Sequence, residues 1–521
     1  MISEWSRTCN SKRKNSKESL ADVLDVGMEL RPDEPAIFFE GRTITYRELD
    51  ARANRIGNAL VGLGVRPGDR VAVHVDNRPE FIEIYQGVMR AGATLVPTNV
   101  MYTAEEMEHI VKDSGAVVLF SKSELAPKIT GIRERLRELR HVVEVCGHAS
   151  SGTLDLEAVA KDSPATRPAV TVDGNALAFI QYTSGTTGKP KGAMVTHANV
   201  LAVIDNMMDS PGAVDALEED VMLLVLPLFH AYALNLAMNR AFLGATPFVL
   251  VSRFDAEKVT ELMARYRVTT FYGAPPMYFA FVNTPGLEKY DVSSLRMAFS
   301  GAAPLPVVIL ERFKAWTGVE ISEGYGLSET APTLCSNASG VVNKPGTVGP
   351  AIPGVQIRLV NDEDVDVAPG EVGEIIARGP NVFRGYWNRP KETAEAMRGG
   401  WFHTGDLARI DADGYYTIVD RKKDMVIVSG YNVYPIEVEN VLLRHPKIMD
   451  CAVIGVPDEY QGESVKAVLV LRPGQAVQPK EITDYCREHL AAYKVPKHVE
   501  IRAELPKSAT GKVLKREIRA G

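Results

Sequence analysis

Short apolar runs that alternate with amphipathic stretches are the main pattern of the first part of the chain. Three runs rich in valine and leucine predict buried strands, at residues 70–75, 92–97 and 117–120. Residues 46–64 carry Ile56, Leu60 and Leu63 on one helical face, and residues 81–91 predict a second helix. This alternation of strand and helix predicts a layered α/β fold with mostly parallel sheets.

A stretch without formal charge, residues 221–239, needs testing as a membrane span. Four residues that a lipid-facing span rarely carries interrupt it: Pro227, His230, Asn235 and Asn239. We therefore predict a strand at 221–226, then a turn and a buried helix. That helix would bury one face, formed by Leu234, Met238 and Phe242.

Length and composition limit the class of protein. A chain of 521 residues is too long for one hydrophobic core and predicts two or more domains. A hydrophobic content of 45% is ordinary for a soluble globular protein, and a net charge of −7 argues against non-specific nucleic-acid binding. The five cysteines show no C-x-x-C spacing, which argues against a disulfide framework or zinc site and indicates a reducing, cytoplasmic environment.

The N-terminal residues 1–18 are polar and basic. They contain no apolar segment of the kind that a secretory signal requires. We predict a disordered basic tail, and we favour this over a targeting or membrane-surface role.

A loop rich in glycine and hydroxyl groups, residues 182–192, is the strongest chemical signal in the sequence. A short apolar strand is predicted before it at 176–180, and a helical pattern begins after it at His197. Its glycines can adopt positive φ and let backbone N–H groups converge on an anion, while its hydroxyls and lysines add donors and charge. Lys189 is followed by Pro190, so the loop does not match the Walker pattern. We interpret it as a triphosphate-binding loop rather than an ordinary surface loop.

This loop resembles the phosphate loop of the adenylate-forming superfamily, which includes acyl-CoA synthetases, adenylation domains of peptide synthetases and beetle luciferases. Four further motifs resemble those of the family and follow in its order, at residues 324–330, 403–406, 420–435 and 506–515. The resemblance covers nearly the whole chain. It implies a large N-terminal domain of layered α/β subdomains at 19–419 and a small, mobile α+β domain at 420–521, joined by a hinge at Asp420.

The residue chemistry and the resemblance together predict a nucleotide site. Tyr325 can stack on a purine, Asp406 can accept both ribose hydroxyls, and Glu329 offers the hard oxygen that Mg²⁺ prefers. Glu329 could instead be a surface or helix-terminal carboxylate. The predicted ATP- and AMP-binding residues are Thr183, Ser184, Gly185, Thr186, Thr187, Gly188, Lys191, Gly301, Ala302, Ala303, Gly324, Tyr325, Gly326, Thr330, Asp406 and Arg421.

Three residues are predicted to be catalytic: Lys512, Glu329 and His230. The resemblance implies that Lys512 reaches from the small domain into the cleft and that His230 lies beside the substrate carboxylate. The predicted acyl pocket consists of His230, Tyr232, Leu234, Met238, Tyr272, Gly273 and Gly326, although core packing would also account for the apolar side chains. The predicted CoA path consists of Ser429, Gly430 and Tyr431.

The resemblance implies an AMP-forming acyl-CoA synthetase that depends on Mg²⁺ and takes a carboxylic acid, ATP and CoA. A medium- or long-chain fatty acid is favoured, because residues 272–278 are similar to the fatty-acid ligases. Aryl or alicyclic acids stay open, because Tyr431 replaces the glutamate of many fatty-acyl relatives. Three further functions compete with this one: an enzyme that loads a carrier protein in trans, a luciferase-like oxygenase and a non-catalytic nucleotide-binding protein. We expect no nucleic-acid partner and no transmembrane segment, and a homodimer is compatible with the sequence.

Overall fold

The computed structural model describes residues 4–15, 17–147, 149–183, 190–212, 217–458, 460–508 and 511–520. The first strands in chain order are β1 (Pro35–Phe39), β2 (Arg42–Thr45), β3 (Arg70–His74), β4 (Thr94–Pro97), β5 (Val118–Lys122), β6 (His141–Val145), β7 (Leu154–Asp155), β8 (Leu177–Thr183), β9 (Lys191–Thr196), β10 (Met222–Leu224), β11 (Phe248–Leu250) and β12 (Thr270–Gly273). They are followed by β13 (Met297–Ser300), β14 (Ile321–Tyr325), β15 (Cys335–Ser336), β16 (Gln356–Val360), β17 (Gly373–Arg378), β18 (Phe402–Ile410), β19 (Tyr416–Arg421), β20 (Val426–Val428), β21 (Tyr431–Val433), β22 (Ile448–Asp458), β23 (Gly462–Leu471) and β24 (His498–Ile501).

The α-helices of the described ranges lie between these strands. The first eight are α1 (Glu4–Asn15), α2 (Asp25–Leu30), α3 (Tyr46–Gly62), α4 (Pro79–Arg90), α5 (Ala104–Ser114), α6 (Ala126–Thr130), α7 (Leu156–Lys161) and α8 (His197–Met208). The others are α9 (Asn239–Leu243), α10 (Ala256–Arg265), α11 (Pro275–Asn283), α12 (Val307–Thr317), α13 (Pro390–Ala396), α14 (Pro435–Leu442), α15 (Pro479–His489) and α16 (Lys515–Ala520).

Two large sheets form the N-terminal part of the molecule. One has eight strands in the order β15-β14-β13-β12-β10-β11-β1-β2, and the other has seven in the order β7-β6-β5-β3-β4-β8-β9. Most neighbouring strands in both sheets are parallel, as in the β3–β4 and β12–β13 pairs. The α/β fold class predicted from the alternating pattern is therefore confirmed.

The carboxyl ends of β12, β13 and β14 meet at one edge of the eight-stranded sheet. Gly273 of β12 pairs with Ser300 of β13, which in turn pairs with Glu323 of β14. The segments that follow these parallel strands therefore emerge side by side, where ligands of open α/β sheets usually bind. Two of the predicted nucleotide motifs, at residues 301–303 and 324–330, begin at this edge.

A four-stranded antiparallel sheet in the order β16-β17-β18-β19 brings two more predicted residues together. Asp406 in β18 is the cross-strand partner of Arg421 in β19. Because directly opposed residues of an antiparallel pair have adjacent side chains, this register alone brings the carboxylate close to the guanidinium group.

The C-terminal part has its own sheet and core. Strands β20 to β24 form a five-stranded sheet, and α14 and α15 cover a core that includes Val433, Val453 and Leu469. The small C-terminal α+β unit predicted from the sequence is confirmed. The boundary at Asp420 and the hinge stay predictions.

The prediction of a disordered basic tail is wrong for residues 4–15, which form helix α1. Cys9 and Arg13 of this helix are fully buried. Arg13 forms ion pairs with Asp205 (2.8 Å) and Asp209 (2.5 Å) at the end of α8. The segment is therefore held in place by acidic residues that are distant from it in the sequence. The first three residues lie outside the described ranges.

We predicted that the phosphate-binding loop connects a strand to a helix, and this prediction is wrong. Strand β9 (Lys191–Thr196) follows it and pairs antiparallel with β8, and α8 begins only at His197. The described residues on either side of the loop therefore form an antiparallel pair of strands. Residues 184–189, which include five predicted phosphate-binding residues, lie outside the described part of the chain.

The helix predicted within the uncharged stretch has an uncommon geometry. Residues Tyr232–Met238 form a π-helix, which continues as α9. Short π-helical segments are rare and often occur at functional sites. Over the described ranges, no helix has the length and apolar character needed to cross a membrane.

A buried pair of amides joins the π-helix to β8, the strand that leads into the phosphate loop. Gln181 Nε2 donates to Asn235 Oδ1 (3.0 Å), and Asn235 Nδ2 donates to Gln181 Oε1 (3.3 Å). Asn239 Nδ2 donates to the carbonyl of Leu234 (2.9 Å), and the Tyr85 hydroxyl donates to Asn239 Oδ1 (2.8 Å). The asparagines of the uncharged stretch are thus buried and satisfied, and they fix the helix beside the phosphate loop.

This amide pair predicts a coupled loss of stability. Asn235→Leu leaves the Gln181 amide buried without its partner, which should lower the free energy of unfolding by about 1–3 kcal/mol. The double variant Gln181→Leu/Asn235→Leu removes both polar groups and should lose less than the sum of the single variants. Urea midpoints of the four proteins measure this coupling, and strictly additive losses would contradict it.

Candidate active site

The carboxylate of Asp406 is the centre of the cluster of predicted residues. Asp406 is only 6% exposed, and its Oδ2 accepts a hydrogen bond from the Tyr325 hydroxyl at 2.6 Å. Its Oδ1 lies 3.3 Å from Arg421 Nε. Burial and the nearby carboxylate raise the pKa of Tyr325 well above its usual value, so Tyr325 stays a neutral donor. These contacts fix the Asp406 carboxylate, a hydrogen-bond acceptor, beside the carboxyl end of β14 in the eight-stranded sheet.

Glu329 lies in the short turn after β14 and is 6% exposed. Its Oε1 accepts a hydrogen bond from the Tyr386 hydroxyl (2.9 Å), and its main-chain carbonyl accepts one from Phe383 (2.9 Å). Burial raises the pKa of the Glu329 carboxyl. The ammonium of Lys191 lies 5.4 Å from the Tyr386 ring centroid, which brings the end of the phosphate loop close to this carboxylate.

The surroundings of Glu329 fit a bound Mg²⁺ ion. In the described part of the chain, no lysine or arginine lies within 4.0 Å of its carboxylate, so a buried anion has no ionic partner there. Those residues also contain no group of three or more His, Cys, Asp or Glu side chains that could hold a metal by itself. One carboxylate together with substrate phosphates is how Mg²⁺ is commonly held.

Lys512 lies in a turn that directs it toward the cluster. Its carbonyl accepts from the Ser508 N–H (2.8 Å), and its own N–H donates to Ser508 Oγ (3.1 Å). Gly511 has a φ of +78°, and a Cβ there would overlap the ring of Pro276 at the start of α11. The C-terminal turn is therefore packed directly against the N-terminal part of the molecule.

The pKa of Lys512 records this environment. Burial and, to a smaller extent, the charge of Arg421 lower the pKa of Lys512 from 10.5 to about 8, while Asp406 acts in the opposite direction. An ammonium group that is desolvated beside another cation favours an incoming anion. The structure thus brings Lys512 to Asp406 and Arg421, as the resemblance implied.

His230 lies close enough to Lys512 for the lysine charge to affect it. Burial and, to a smaller extent, the charge of Lys512 lower the pKa of His230 to about 4, so the imidazole is neutral near pH 7. Its Nδ1 accepts a hydrogen bond from the Tyr232 N–H at 3.3 Å. The proton therefore resides on Nε2, which can donate to a carboxylate.

An aromatic wall, defined here as Tyr232, Tyr272 and Phe299, lies beside His230. Tyr232 meets Tyr272 edge-on with centroids 5.9 Å apart, and Tyr272 stacks on Phe299 at 4.6 Å. Tyr232 also contacts Gly301, where a Cβ would lie 3.2 Å from its ring. Tyr232 is half-buried, so part of its ring is accessible.

Several residues predicted to line the acyl pocket pack internally. Leu234 and Met238 are completely buried in the main core. A Cβ on Gly273 would overlap the Phe271 and Tyr278 rings, and one on Gly326 would overlap the carbonyl of Pro332. These glycines make room for the protein itself, and their part in substrate binding stays a prediction.

The remaining nucleotide residues lie near the strand ends that were predicted to carry them. Thr183 ends β8, and Ala302 follows β13 in a left-handed conformation with φ +72°. Ala303 is half-buried, whereas Gly301 is buried against Tyr232. Gly324 belongs to β14, and the side chain of the fully buried Thr330 accepts from the Leu327 N–H (2.9 Å).

The predicted CoA residues are not part of this cluster. Ser429 and Gly430 form the two-residue turn between β20 and β21, both with positive φ, which is the usual geometry of a tight hairpin. All three residues are exposed, and the ring of Tyr431, 60% exposed, stacks on Tyr493 at 4.9 Å.

Comparison with known proteins agrees with this geometry. Residues 24–387 match the family model described as AMP-binding enzyme, and residues 437–512 match the AMP-binding enzyme C-terminal domain. The chain belongs to the AMP-binding enzyme family. It is an acyl-CoA synthetase, an AMP-forming acid–CoA ligase, and the family and enzyme class predicted from its motifs are confirmed.

Similar members of the AMP-binding enzyme family act on different acids. The chain is 36% identical to a long-chain-fatty-acid–CoA ligase of Bacillus subtilis (strain 168), over 96% of this chain and 94% of that protein. It is 40% identical to a feruloyl-CoA synthase of Amycolatopsis sp., over 94% and 96%. The crystal structure of an anthranilate CoA ligase with anthranoyl-AMP matches with a TM-score of 0.91 at 32% identity, covering 98% of each chain.

Sequence reasoning missed two residues of this AMP-binding enzyme that contact predicted site residues. Tyr386 holds Glu329, but the two residues belong to different motifs, and nothing local to Tyr386 indicates their contact. Arg240 donates to the Tyr272 hydroxyl at 2.9 Å. A signal for Arg240 did exist, because it is the first charged residue after the uncharged stretch 221–239.

The pKa of Lys512 predicts how adenylation depends on pH. The ammonium is charged below about pH 8 and loses its proton above it, so its electrostatic contribution disappears as pH rises. We expect kcat/KM for ATP in pyrophosphate exchange to fall as pH increases through about 8. Lys512→Arg keeps its charge to above about pH 12 and should move this alkaline limb upward, with some loss of rate.

Lys507→Arg is the matched control for this measurement. Lys507 lies in the same C-terminal turn but forms an ion pair with Asp450 at 2.6 Å. The pH profile of Lys507→Arg should equal that of the wild type. An alkaline limb that does not move in Lys512→Arg would mean that another group titrates.

Proposed function

We propose that this acyl-CoA synthetase activates a medium- or long-chain fatty acid through an acyl-adenylate. The observation that carries the adenylation step is the proximity of Lys512 to Asp406, Arg421 and His230: Arg421 and Asp406 act on the pKa of Lys512, and Lys512 acts on the pKa of His230. The fatty-acyl assignment is supported by similarity to a long-chain-fatty-acid–CoA ligase along 96% of the chain.

In the first half-reaction, an oxygen of the acid's carboxylate attacks the α-phosphorus of ATP. The bond from that phosphorus to the oxygen of the β-phosphate breaks, and pyrophosphate leaves. The acid is already ionised at pH 7, so no general base is needed. Lys512 would bridge the carboxylate and the α-phosphate, and Asp406 would accept the ribose hydroxyls. Mg²⁺ held by Glu329 would neutralise charge on the β- and γ-phosphates.

His230 would orient the acid in this step. Its neutral imidazole would donate from Nε2 to the second carboxylate oxygen without transferring the proton. Such positioning accelerates a displacement by holding the reacting atoms in line.

In the second half-reaction, the sulfur of CoA attacks the carbonyl carbon of the acyl-adenylate. The bond from that carbon to the phosphate oxygen breaks, AMP leaves, and the thiol proton passes to solvent. We propose that Ser429, Gly430 and Tyr431 line the path of the CoA thiol in this step. A Cβ at Gly430 would have no atom within 4 Å, so the turn presents bare backbone that a narrow ligand can approach closely.

An aryl acid is the second candidate substrate, and the aromatic wall favours it. A flat ring can lie against the accessible part of Tyr232, which the buried Tyr272 supports edge-on, and aromatic contacts stabilise such an arrangement. Similarity to a feruloyl-CoA synthase and to an anthranilate CoA ligase gives this candidate further support.

A screen of acids tests the substrate class. In an assay of CoA-dependent AMP release, kcat/KM should rise with fatty-acid chain length, because each buried methylene contributes about 0.8 kcal/mol, roughly fourfold, until the pocket is full. Benzoate and cinnamate are the comparison acids. If an aryl acid gives a higher kcat/KM than every fatty acid, the second candidate replaces the first. AMP release that requires a carrier protein would contradict both candidates.

We also propose that Asp420 lies at a hinge about which the C-terminal part rotates between the half-reactions. Its Oδ2 accepts from the Ile436 N–H at the start of α14 (3.1 Å), and its Oδ1 accepts from the Arg421 N–H (2.7 Å). Asp420 therefore contacts both the last strand of the four-stranded sheet and the first helix of the C-terminal part.

Asp420→Pro fixes φ near −65° and removes a backbone donor. We expect Asp420→Pro to slow thioester formation from supplied acyl-adenylate far more than pyrophosphate exchange. A hinge residue must change its backbone angles between the half-reactions, and proline prevents that change. Asp420→Ala is the control, since it removes the carboxylate but leaves the backbone free. Thioester formation by Asp420→Pro at the rate of Asp420→Ala would contradict the hinge.

A further inference from the structure

Arg240 occupies an unusual position next to the aromatic wall. It lies in α9, directly after the π-helix, and it is half-buried where residues 233–239 are all buried. Its Nη1 donates to the Tyr272 hydroxyl at 2.9 Å, and its guanidinium carbon lies 5.8 Å from the Phe299 ring centroid. The charge is thus held against Tyr272 and Phe299, two of the three rings that form the wall.

The guanidinium group of Arg240 has unused hydrogen-bonding capacity. A guanidinium offers five N–H donors in a fixed plane, and the Tyr272 hydroxyl takes one of them. Among the residues that the structure describes, no carboxylate lies within 4.0 Å of Arg240, whereas the two buried arginines, Arg13 and Arg90, each have one. A ligand that covers the guanidinium group without offering an acceptor would leave these donors buried without hydrogen-bond partners, which is unfavourable.

The position along the helix shows which part of an acid Arg240 would meet. His230 lies beside the expected position of the carboxylate. The whole π-helix separates it from Arg240, so the two residues are roughly 10–15 Å apart along the helix axis. Arg240 would therefore meet the distal part of the acid rather than its reacting end.

We propose that Arg240 is a specificity-determining residue that binds an acceptor oxygen on the distal part of the acid. The oxygen can belong to a hydroxyl, an ether or a second carboxylate, on a chain or on a ring. This inference rests on the proposed function, because it requires the aromatic wall to face the acyl group. It adds that the preferred acid is oxygenated, which neither a plain fatty acid nor an unsubstituted aryl acid satisfies.

Matched pairs of acids test this role. The pairs are decanoate with 10-hydroxydecanoate and decanedioate, and cinnamate with 4-methoxycinnamate. In at least one pair the wild type should prefer the oxygenated acid about tenfold or more in kcat/KM, the size expected for a hydrogen bond to a charged group. Arg240→Met keeps roughly the length of the side chain but removes its donors, and should abolish this preference by lowering kcat/KM for the oxygenated member of each preferred pair more than for decanoate or cinnamate.

Two further variants separate recognition from structural damage. Arg240→Lys keeps the charge and should retain part of any preference for decanedioate while losing that for the neutral oxygens. Arg265→Met is the matched control, because Arg265 also lies over an aromatic ring, that of Tyr266 at 5.4 Å, but is exposed and distant in the chain. It should behave as the wild type does.

The outcomes distinguish this inference from the proposed function. Thioester formation without any preference for oxygenated acids, or equal losses for both members of each pair in Arg240→Met and Arg240→Lys, would overturn the role of Arg240 and leave the proposed function intact. If the wild type forms no thioester from any of these acids, the proposed function fails and this inference fails with it.

Discussion

The buried carboxylate of Asp406 is the interaction on which the rest of the site depends. Removing a carboxylate from water is costly, and the Tyr325 hydroxyl and the Arg421 guanidinium offset that cost through contacts at 2.6 and 3.3 Å. The same negative charge stabilises the ammonium of Lys512 and opposes the effect of the nearby Arg421. One side chain therefore holds together a motif of the eight-stranded sheet, the four-stranded sheet and the C-terminal turn.

The electrostatic arrangement around Asp406 suits an anion that is not yet bound. Lys512 is desolvated beside Arg421, so its pKa falls to about 8, and an incoming phosphate or carboxylate would restore it. Burial raises the pKa of the Glu329 carboxyl, and a bound metal cation would lower it again. His230 is neutral and adds no charge. Each group is thus kept in a state that binding of the reactants would stabilise, which is how a preorganised site lowers a reaction barrier.

The fold could be predicted from the sequence where the pattern is local, and it could not where distant contacts decide. Apolar runs predicted β3, β4 and β5 closely because buried parallel strands need continuous apolar sequence. A spacing of four residues fits an α-helix as well as a π-helix, so the π-helix could not be distinguished. Helix α1 depends on Arg13 meeting two aspartates of α8, and Tyr386 reaches Glu329 across the fold. Such pairings leave no signal in the neighbouring sequence.

The ion pairs near the proposed hinge divide sharply at Lys423. Lys422 lies 3.0 Å from Glu374 and 2.6 Å from Asp362, both beside the four-stranded sheet, so it is tied to the N-terminal part. Asp424 pairs instead with Arg519 of α16, at 2.9 Å, and belongs to the C-terminal part. Lys512 is half-buried in the cleft while Tyr431 of the same C-terminal part is 60% exposed, so one arrangement cannot present both to the substrate. The ion pairs of the two parts therefore change over within four residues of Asp420, which supports the hinge proposed for this segment.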